Sequence, residues 1–282
     1  MKHLAGWTAL LALLAACGPQ PAPPPIASGF YLATSDGVVH YGYDGERTDL
    51  GLCAYDWPLL AVANGLLYCT GRASLSDPLP ELYVYDGRGA QAFRIPVPPQ
   101  VRDWFVAFLP LASGLIAYGD NADDRVYLAD PNGKLRKSLK LRDAADTSFQ
   151  NAYLLEHDGR LYASEDGDQR VLSWDLETFE RQVEFDLGGL GLSWIGSLAR
   201  DPGSGDLFVS AMPGNRIYRL PSGGPPALFV SLPGYAPILG FAGGTLYAGG
   251  YGDTIYAVDP ATAAVAPVVT GVPSARGFAV VP

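Results

Sequence analysis

Charged residues are scarce in this chain, and basic residues are scarcer than acidic ones. Asp, Glu, Lys and Arg make up 17% of the 282 residues, and the formal net charge is −10. A helical bundle or coiled coil needs more charge along its solvent faces, so these folds are disfavoured. Nucleic-acid binding is disfavoured too, because phosphate contacts require a basic surface.

Histidines and the motifs of common catalytic sites are also missing. Beyond the N-terminal signal described below, the only histidines are His40 and His157, and neither fits a Ser-His-Asp apparatus. The chain has no G-x-S-x-G elbow, no C-x-x-C pair and no H-E-x-x-H pattern. The glycine-rich run 188–196 has Trp194 in the place of the third glycine of G-x-G-x-x-G and precedes a strand pattern, so it is not a dinucleotide fingerprint.

Glycine, proline and tyrosine are plentiful. The chain contains 34 Gly, 24 Pro and 16 Tyr, and 48% of its residues are hydrophobic. Tyrosine favours strands, and glycine and proline favour turns. The composition therefore predicts a turn-rich β protein with a sizeable core.

The N-terminus carries an export signal. Lys2 precedes 13 apolar residues, Leu4 to Ala16, a stretch shorter than the roughly 20 residues of a membrane-spanning helix. It ends in Leu-Ala-Ala-Cys17, which resembles the lipobox of bacterial lipoproteins. The resemblance implies cleavage before Cys17 and acylation of that residue, with 1–16 as signal peptide. The alternative is an ordinary signal peptide cut at an Ala-rich site.

A proline-rich segment follows the signal. Residues 18–28 contain five Pro, a composition that favours extended polyproline II. We interpret 17–28 as the lipidated Cys and a tether that holds the folded part at the membrane. The expected location is the cell envelope, with the outer membrane favoured if the cell is Gram-negative.

Two cysteines remain in the folded part, Cys53 and Cys69. An exported protein with two cysteines can form one disulfide, and the repeat phasing described next brings both to one rim. The alternative is a pair of buried thiols.

A repeat of about 40–50 residues runs through 29–282. Glycine turns that lead into short strands recur at intervals of 36–49 residues, at Gly29, Gly65, Gly114, Gly159, Gly205 and Gly244. This period is typical of a β-propeller. Each glycine turn leads into one strand, and the next strand along the chain usually ends in Asp. We predict that these aspartates form turns and are not catalytic: Asp44, Asp86, Asp130, Asp175 and Asp259.

Apolar segments precede five of the glycine turns and are predicted to be inner strands buried on both faces. The first repeat lacks one, whereas residues 275–282 supply an extra segment of the right character. We therefore predict an all-β, six-bladed propeller closed by the C-terminal strand. Seven blades are the alternative, because the interval 65–114 could hide extra strands; we assign that excess to a loop at 71–80.

The strings GNRIYRL, DDRVYLAD and DGRLYAS resemble NHL-type and gluconolactonase-like (strictosidine-synthase-like) propellers. The second resemblance implies a divalent metal held by Glu, Asn and Asp at the channel mouth, and a lactonase or esterase activity. Asn151 matches the Asn, but the Glu has no counterpart, and Arg276 stands where an acid is expected. A rearranged calcium or zinc site would use Asp56, Asp103 and Asn151. The alternative is a propeller without a cofactor.

Aromatic residues occupy several starts of the predicted inner strands. Trp57, Trp104 and Trp194 lie at equivalent positions, and Tyr235 is near. Such side chains suit sugars or peptides, and Asn151 and Arg276 add polar groups. We predict a non-catalytic ligand or protein site at this mouth. The alternative is that the Trp residues pack between blades.

Two charged features receive structural interpretations. The acidic loops 120–124 and 165–169 are predicted on the channel-entry face as solvated turns, with calcium binding as the alternative. Lys134, Lys137 and Lys140 are predicted on the outermost strand of the third blade, where lysine blocks edge-to-edge pairing.

Overall fold

Each repeat of the sequence forms one antiparallel sheet of four strands. The computed structural model describes residues 26–54, 58–70, 81–87, 89–101, 105–120, 124–142 and 152–282. These ranges hold six four-stranded sheets and one short 3-10 helix, Gly188–Leu190. Within them, no helix combines the length and apolarity needed to cross a membrane.

The strands are numbered β1 to β24 along the chain. The first twelve are β1 Gly29–Thr34, β2 Gly37–Tyr41, β3 Arg47–Asp49, β4 Leu59–Ala63, β5 Leu66–Thr70, β6 Glu81–Tyr85, β7 Gln91–Pro96, β8 Phe105–Pro110, β9 Ile116–Asp120, β10 Arg125–Ala129, β11 Leu135–Lys140 and β12 Ala152–His157. The remaining twelve are β13 Arg160–Glu165, β14 Arg170–Asp175, β15 Arg181–Asp186, β16 Trp194–Arg200, β17 Leu207–Met212, β18 Arg216–Leu220, β19 Ala227–Ser231, β20 Ile238–Ala242, β21 Thr245–Gly249, β22 Thr254–Val258, β23 Val265–Thr270 and β24 Gly277–Val281.

The six sheets are the blades of a propeller. Blade one has the order β24-β1-β2-β3, and blades two to six take the strands β4–β7, β8–β11, β12–β15, β16–β19 and β20–β23 in turn. Each inner strand contacts the inner strands of both neighbouring blades, so the sheets form a closed ring. The predicted six-bladed propeller is confirmed. The alternative of seven blades is wrong. The interval 65–114 contains four strands, β5 to β8, which are the last three strands of blade two and the inner strand of blade three.

The C-terminal strand closes the ring, as predicted. β24 pairs antiparallel with β1, with Val280 opposite Phe30 and Phe278 opposite Leu32. The Ser28 hydroxyl donates to the Pro282 carbonyl oxygen at 2.6 Å. The two ends of the propeller domain are therefore joined within one sheet, and β1 has no exposed edge.

Some inner strands are less buried than the sequence predicted, although β16 is buried at five of its seven residues. All six residues of β1 and all five of β9 are buried, and both are second strands. In β4 only Ala61 is buried, and residues 153–157 of β12 are all half-buried. Apolar runs without polar alternation had predicted burial on both faces, but an inner strand has one side toward the central channel.

The aspartates at the strand ends form turns, as predicted. Asp175 Oδ1 accepts hydrogen bonds from the backbone N–H groups of Glu177 and Thr178. Asp259 makes the equivalent pair in blade six. Hydrogen bonds to the charged form hold the pKa of both carboxyls below its usual value.

The lysine-rich strand β11 is the outermost strand of blade three, as predicted. Lys137 also reaches the next blade, where its Nζ lies 4.7 Å from the centre of the Phe179 ring. Its ammonium therefore both charges the sheet edge and makes a cation–π contact.

Cys53 and Cys69 form a disulfide, with their Cα atoms 6.3 Å apart. Cys53 lies in the connection from blade one to blade two, and Cys69 lies in β5. Both side chains are buried in a cluster that includes Tyr31 and Leu67. The bond ties the entrance of blade two to its second strand.

Candidate functional site

One side of the ring collects two kinds of segment from every blade. In an antiparallel blade, the start of the inner strand lies beside the end of the second strand; in blade five, for example, Trp194 pairs with Met212. The connections that lead into inner strands therefore share a side with the loops between second and third strands. We call this side the entry rim.

Four aromatic side chains meet on the entry rim across blades four, five and six. Tyr153 and Trp194, near the starts of β12 and β16, pack edge to face with ring centres 5.9 Å apart. Tyr235 and Tyr251 approach to 5.8 Å. Burial raises the pKa of Tyr153 well above its usual value, and the nearby Tyr251, Tyr235 and Asp166 raise it further. We call Tyr153, Trp194, Tyr235 and Tyr251 the rim cluster.

The backbone holds the tyrosines of blade six in place. The Tyr251 N–H donates to the Ala275 carbonyl at 2.6 Å, and the Ser274 hydroxyl donates to the Tyr251 carbonyl at 3.1 Å. Gly252 passes so close to Tyr235 that a Cβ would lie 2.2 Å from the Tyr235 carbonyl oxygen. A glycine is required there, and it allows the two tyrosines to stand side by side.

Trp194 lies over its own strand. A Cβ on Gly196 would fall 2.2 Å from the indole ring, so the ring occupies the space that a side chain at 196 would take. Trp194 is half-buried, and its ring also packs against Tyr153 of blade four. The residue therefore keeps some exposed surface at the rim.

The loop at 165–169 is not a solvated turn throughout, and that prediction is wrong for two of its acids. Glu165 is buried and accepts a 2.8 Å hydrogen bond from Nε of the buried Arg142 and another from the Gly167 N–H. Asp166 accepts the Ile195 N–H at 2.9 Å. The loop turns inward because Arg142, from the end of blade three, supplies the charge that Glu165 requires.

Burial shifts the titration of both acids. Loss of solvent is the largest cause, and it raises the pKa of Glu165 despite the opposing effect of Arg142 and two backbone N–H groups. For Asp166, burial and then the Glu165 charge raise the pKa to about 6, against the lowering effect of the Ile195 N–H. Asp166 therefore titrates close to neutral pH beside the rim cluster.

A small cavity opens at the rim between blades five and six, next to the rim cluster. Its volume is about 10 Å³, close to the smallest that holds one water molecule, and its lining includes Trp194, Met212, Arg216, Tyr235 and Pro237. The floor is apolar, since Leu232 and Ala236 are buried there. Among the described residues of this lining, Arg216 has the one cationic side chain.

Of the predicted ligand-binding residues, the structure brings Trp194 and Tyr235 together in this cavity. Arg276 immediately precedes β24 on the same rim, and its N–H donates to the Ala33 carbonyl at 3.0 Å. The other predicted site residues lie outside the described residues and stay predictions: Cys17, Asp56, Trp57, Asp103, Trp104 and Asn151. In the part of the chain that the structure describes, no group of three His, Cys, Asp or Glu side chains is suited to hold a metal.

Tyr153, Tyr251, Asp166 and Arg216 were not predicted as site residues. Tyr153 falls at the start of a predicted inner strand, so the rule that selected Trp194 also applies to it. The other three belong to loops between second and third strands or to the residue after one. Treating those loops as part of the same rim would have identified them.

Comparisons with known proteins agree on the fold. No protein-family description matches the sequence, and no curated protein matches it. Among solved structures, the nidogen chain of a nidogen/laminin complex has 16% identity and a TM-score of 0.72, over 89% of this chain and 97% of that one. Virginiamycin B lyase from Staphylococcus aureus has 15% identity and a TM-score of 0.61, over 93% and 92%. A streptogramin B lyase has 12% identity and a TM-score of 0.59, over 92% and 88%. At these identities the likeness establishes a β-propeller and nothing finer.

Proposed function

We propose that this protein is a lipid-anchored propeller of the bacterial cell envelope that binds a protein, peptide or sugar at its entry rim without catalysis. The observation that carries the proposal is the rim cluster, which places four aromatic rings from three blades around one mouth. Aromatic side chains with a polar tip dominate binding surfaces, because they combine apolar area with a hydrogen-bonding group.

The similar structures supply both a binding protein and an enzyme. Nidogen was crystallised in a complex with laminin, which fits a propeller acting through a partner. A virginiamycin B lyase in which a histidine is replaced by alanine is catalytically inactive. In this chain His40 lies in β2 with Nε2 3.0 Å from the Ser28 carbonyl, and His157 ends β12 away from the entry rim. These positions favour binding over a lyase reaction.

Photo-crosslinking in intact cells tests binding at the rim. A photoreactive phenylalanine analogue at position 235 is compared with the same analogue at position 43, because Tyr235 and Tyr43 are 39% and 38% exposed and lie in different blades. We expect a discrete crosslinked product from position 235, lost when Trp194→Ala is added, and none from position 43. Equal products from both positions would argue against the rim as the binding surface. A glycan array with wild type and Trp194→Ala covers sugar ligands.

Lipid anchoring is tested at Cys17. We expect the wild-type protein to incorporate labelled palmitate and to sediment with membranes. The Cys17→Ser variant should do neither, because the acyl-acceptor thiol is gone. A Cys17→Ser protein that still sediments with membranes and still carries label would show that the anchor lies elsewhere.

Absence of a resident metal is part of the proposal. We expect calcium and zinc well below one equivalent in protein purified without chelator, and no hydrolysis of lactones when either ion is added. A stoichiometric ion that is lost in Asp103→Asn would instead support the site of Asp56, Asp103 and Asn151 and the lactonase activity that it implies.

A further inference from the structure

We propose that the side of the ring opposite the entry rim faces the membrane, so that the rim cluster points away from the bilayer that anchors the protein. We call that side the exit rim; inner strands end there and second strands begin there. The inference rests on the lipid anchor of the proposed function. It goes further by naming the side from which the partner arrives and by separating the rim cluster from the lipids of the anchoring bilayer.

The chain enters the ring at the exit rim. Gly29 begins β1, the second strand of blade one, and pairs with Val281 at the end of the inner strand β24. At the other end of β1, Ala33 pairs with Gly277, where β24 begins on the entry rim. The N-terminal segment and the rim cluster therefore belong to opposite sides of the ring.

The three residues that precede β1 are part of the folded ring. The side chain of Ile26 is buried in the cluster that contains Tyr31 and the disulfide. The Tyr31 hydroxyl donates to the Ala27 carbonyl at 3.1 Å, and His40 Nε2 lies 3.0 Å from the Ser28 carbonyl. Together with the bond from the Ser28 hydroxyl to the last residue of the chain, these contacts fix the point at which the chain leaves the ring. We call these three residues the tether base.

The length of chain between the anchor and the tether base limits how the ring can stand on the membrane. Residues 18–25 connect Cys17 to Ile26. Even when fully extended, a link of this length spans only about 30 Å. The exit rim must therefore stay within about 30 Å of the lipid head groups, measured from the point where the chain leaves the ring.

Bringing the entry rim to the bilayer would use up this length. β1 has six residues, so the blade is about 20 Å high before the loops of either rim are added. The link would also have to pass the outer strands β2 and β3, which adds about 10 Å at the usual strand spacing. With the exit rim toward the bilayer, the link needs no such detour. The tether base therefore restricts the ring to orientations in which the rim cluster is turned away from the lipid.

This orientation decides which molecules reach the rim cluster. The height of a blade then lies between the four aromatic rings and the anchoring leaflet, so the head groups and acyl chains of that leaflet do not contact them. A partner that approaches from the opposite side meets the entry rim directly. The ligand of the rim cluster therefore belongs to the space beyond the ring and not to the anchoring bilayer.

Energy transfer to the bilayer measures which rim is nearer to the lipid. The chain 17–282 is coupled through the Cys17 thiol to a maleimide lipid in vesicles; Cys53 and Cys69 are joined in the disulfide and do not compete. The vesicles are neutral phosphatidylcholine, because both rims carry exposed acids, such as Asp44 on the exit rim and Asp253 on the entry rim. Acceptor dyes are placed on the lipid head groups.

The donor dye is attached to an azide-bearing phenylalanine at position 43 or at position 235. Tyr43 belongs to the exit rim, since its hydroxyl donates to the Val281 carbonyl at 2.7 Å, and its exposure of 38% matches the 39% of Tyr235. We expect at least about twofold higher transfer efficiency from position 43, because the height of the ring separates the two dyes. Thermal midpoints verify that both labelled proteins are folded.

A longer tether is the matched control. A Gly-Ser segment of about 24 residues inserted after Pro25 keeps the ring and the tether base but lets the link reach around the blade, so the difference between the two positions should shrink. Equal transfer from both positions with the native tether, higher transfer from position 235, or a difference that the insertion does not reduce would overturn the inference. Because the anchor is attached chemically, the outcome does not depend on acylation in the cell. Palmitate labelling and crosslinking from position 235 test the proposed function separately.

Discussion

At the scale of single residues, Asp166 places a carboxyl group near the rim cluster at a cost in the stability of the fold. Its carboxyl faces Glu165, Arg142 and Tyr153, and burial raises its pKa from 3.8 to about 6. A raised folded-state pKa means that the native protein binds more protons than the unfolded chain between about pH 4 and 6. The charge of Asp166 therefore lowers the free energy of unfolding as pH rises through this window.

Replacing Asp166 by Asn is expected to stabilise the protein at neutral pH. The amide oxygen can still accept the Ile195 N–H, while the charge is removed. The full shift would correspond to about 3 kcal/mol, and because the group is partly solvated we expect about 1–2 kcal/mol at pH 7.5. At pH 4, where wild-type Asp166 is mostly protonated, the difference should approach zero. Urea unfolding of both proteins at the two pH values measures it.

Asp175→Asn is the control with the opposite sign. The pKa of Asp175 is lowered by backbone N–H groups of Thr178 and Glu177, so its charge stabilises the fold above its unfolded-state pKa and this stability is lost as pH falls. Asp175→Asn should therefore destabilise the protein more at pH 7.5 than at pH 4. If Asp166→Asn gave the same difference from wild type at both pH values, Asp166 would not carry the proposed shift.

The two aspartates also show what sequence can and cannot predict at this scale. Asp175 follows a strand pattern, and a turn there needs only its own neighbouring N–H groups, so its role is local. Asp166 lies in an acidic turn of similar composition, but its environment depends on Arg142 and on Ile195 from another blade. Contacts between residues distant in sequence decide its burial, and a single sequence does not reveal them.

At the scale of elements, the disulfide between Cys53 and Cys69 joins a connection to a strand. The two residues are 16 positions apart, and closing a loop of this length removes unfolded-state freedom equivalent to about 3 kcal/mol in the chain-entropy account. Since Cys53 lies between blades one and two, the bond also fixes where β4 begins relative to β5.

The Cys53→Ala/Cys69→Ala variant is expected to unfold at lower urea concentration, with a loss of about 3 kcal/mol. Alanine retains the β-carbon and leaves no unpaired thiol in the buried cluster around Tyr31. Reduced wild-type protein is the matched control and should behave like the variant. Identical midpoints for the oxidised wild type and the variant would show that the bond adds nothing to stability.

Strand positions were predictable from sequence, whereas their burial was only partly so. Glycine turns and Asp-ended strands recur in each repeat, and these signals depend on local backbone conformation. The apolar character of the inner strands suggested complete burial, yet residues 153–157 of β12 are half-buried. An apolar run records how hydrophobic a strand is but not whether a neighbour covers both faces.

At the scale of the whole molecule, the number of blades followed from counting. The sequence has six repeats that begin at a glycine turn. The first repeat lacks an inner strand, and residues 275–282 form a surplus segment. One arrangement of these parts gives every sheet four strands. The structure has that arrangement, with β24 completing blade one. Ring closure is a topological requirement, so it can be inferred without knowing any side-chain contact. The position of Arg216 beside an aromatic cavity could not be inferred from the sequence, because it depends on how blades five and six pack against each other.

The closing contact should carry a large share of the stability of the ring. Phe278 is buried, stacks on Phe30 with ring centres 6.1 Å apart, and lies against Gly249, where a Cβ would be 2.7 Å from its ring. It thus joins blade six to blade one through β24. Phe278→Ala is expected to cost about 3–5 kcal/mol in urea unfolding, because it removes a fully packed aromatic ring.

Hydrogen exchange distinguishes loss of closure from general destabilisation. In Phe278→Ala, amides of β1 and β24 should lose protection first, since their pairing joins the two ends of the propeller, while amides of β13 and β14 in blade four should keep theirs. Val183→Ala, a change at a side chain that is 51% exposed on the outer strand of blade four, is the control and should alter stability by less than about 0.5 kcal/mol. Protection that fell uniformly over all six blades would mean that the ring unfolds as one unit and that the junction is no weaker than the other blade interfaces.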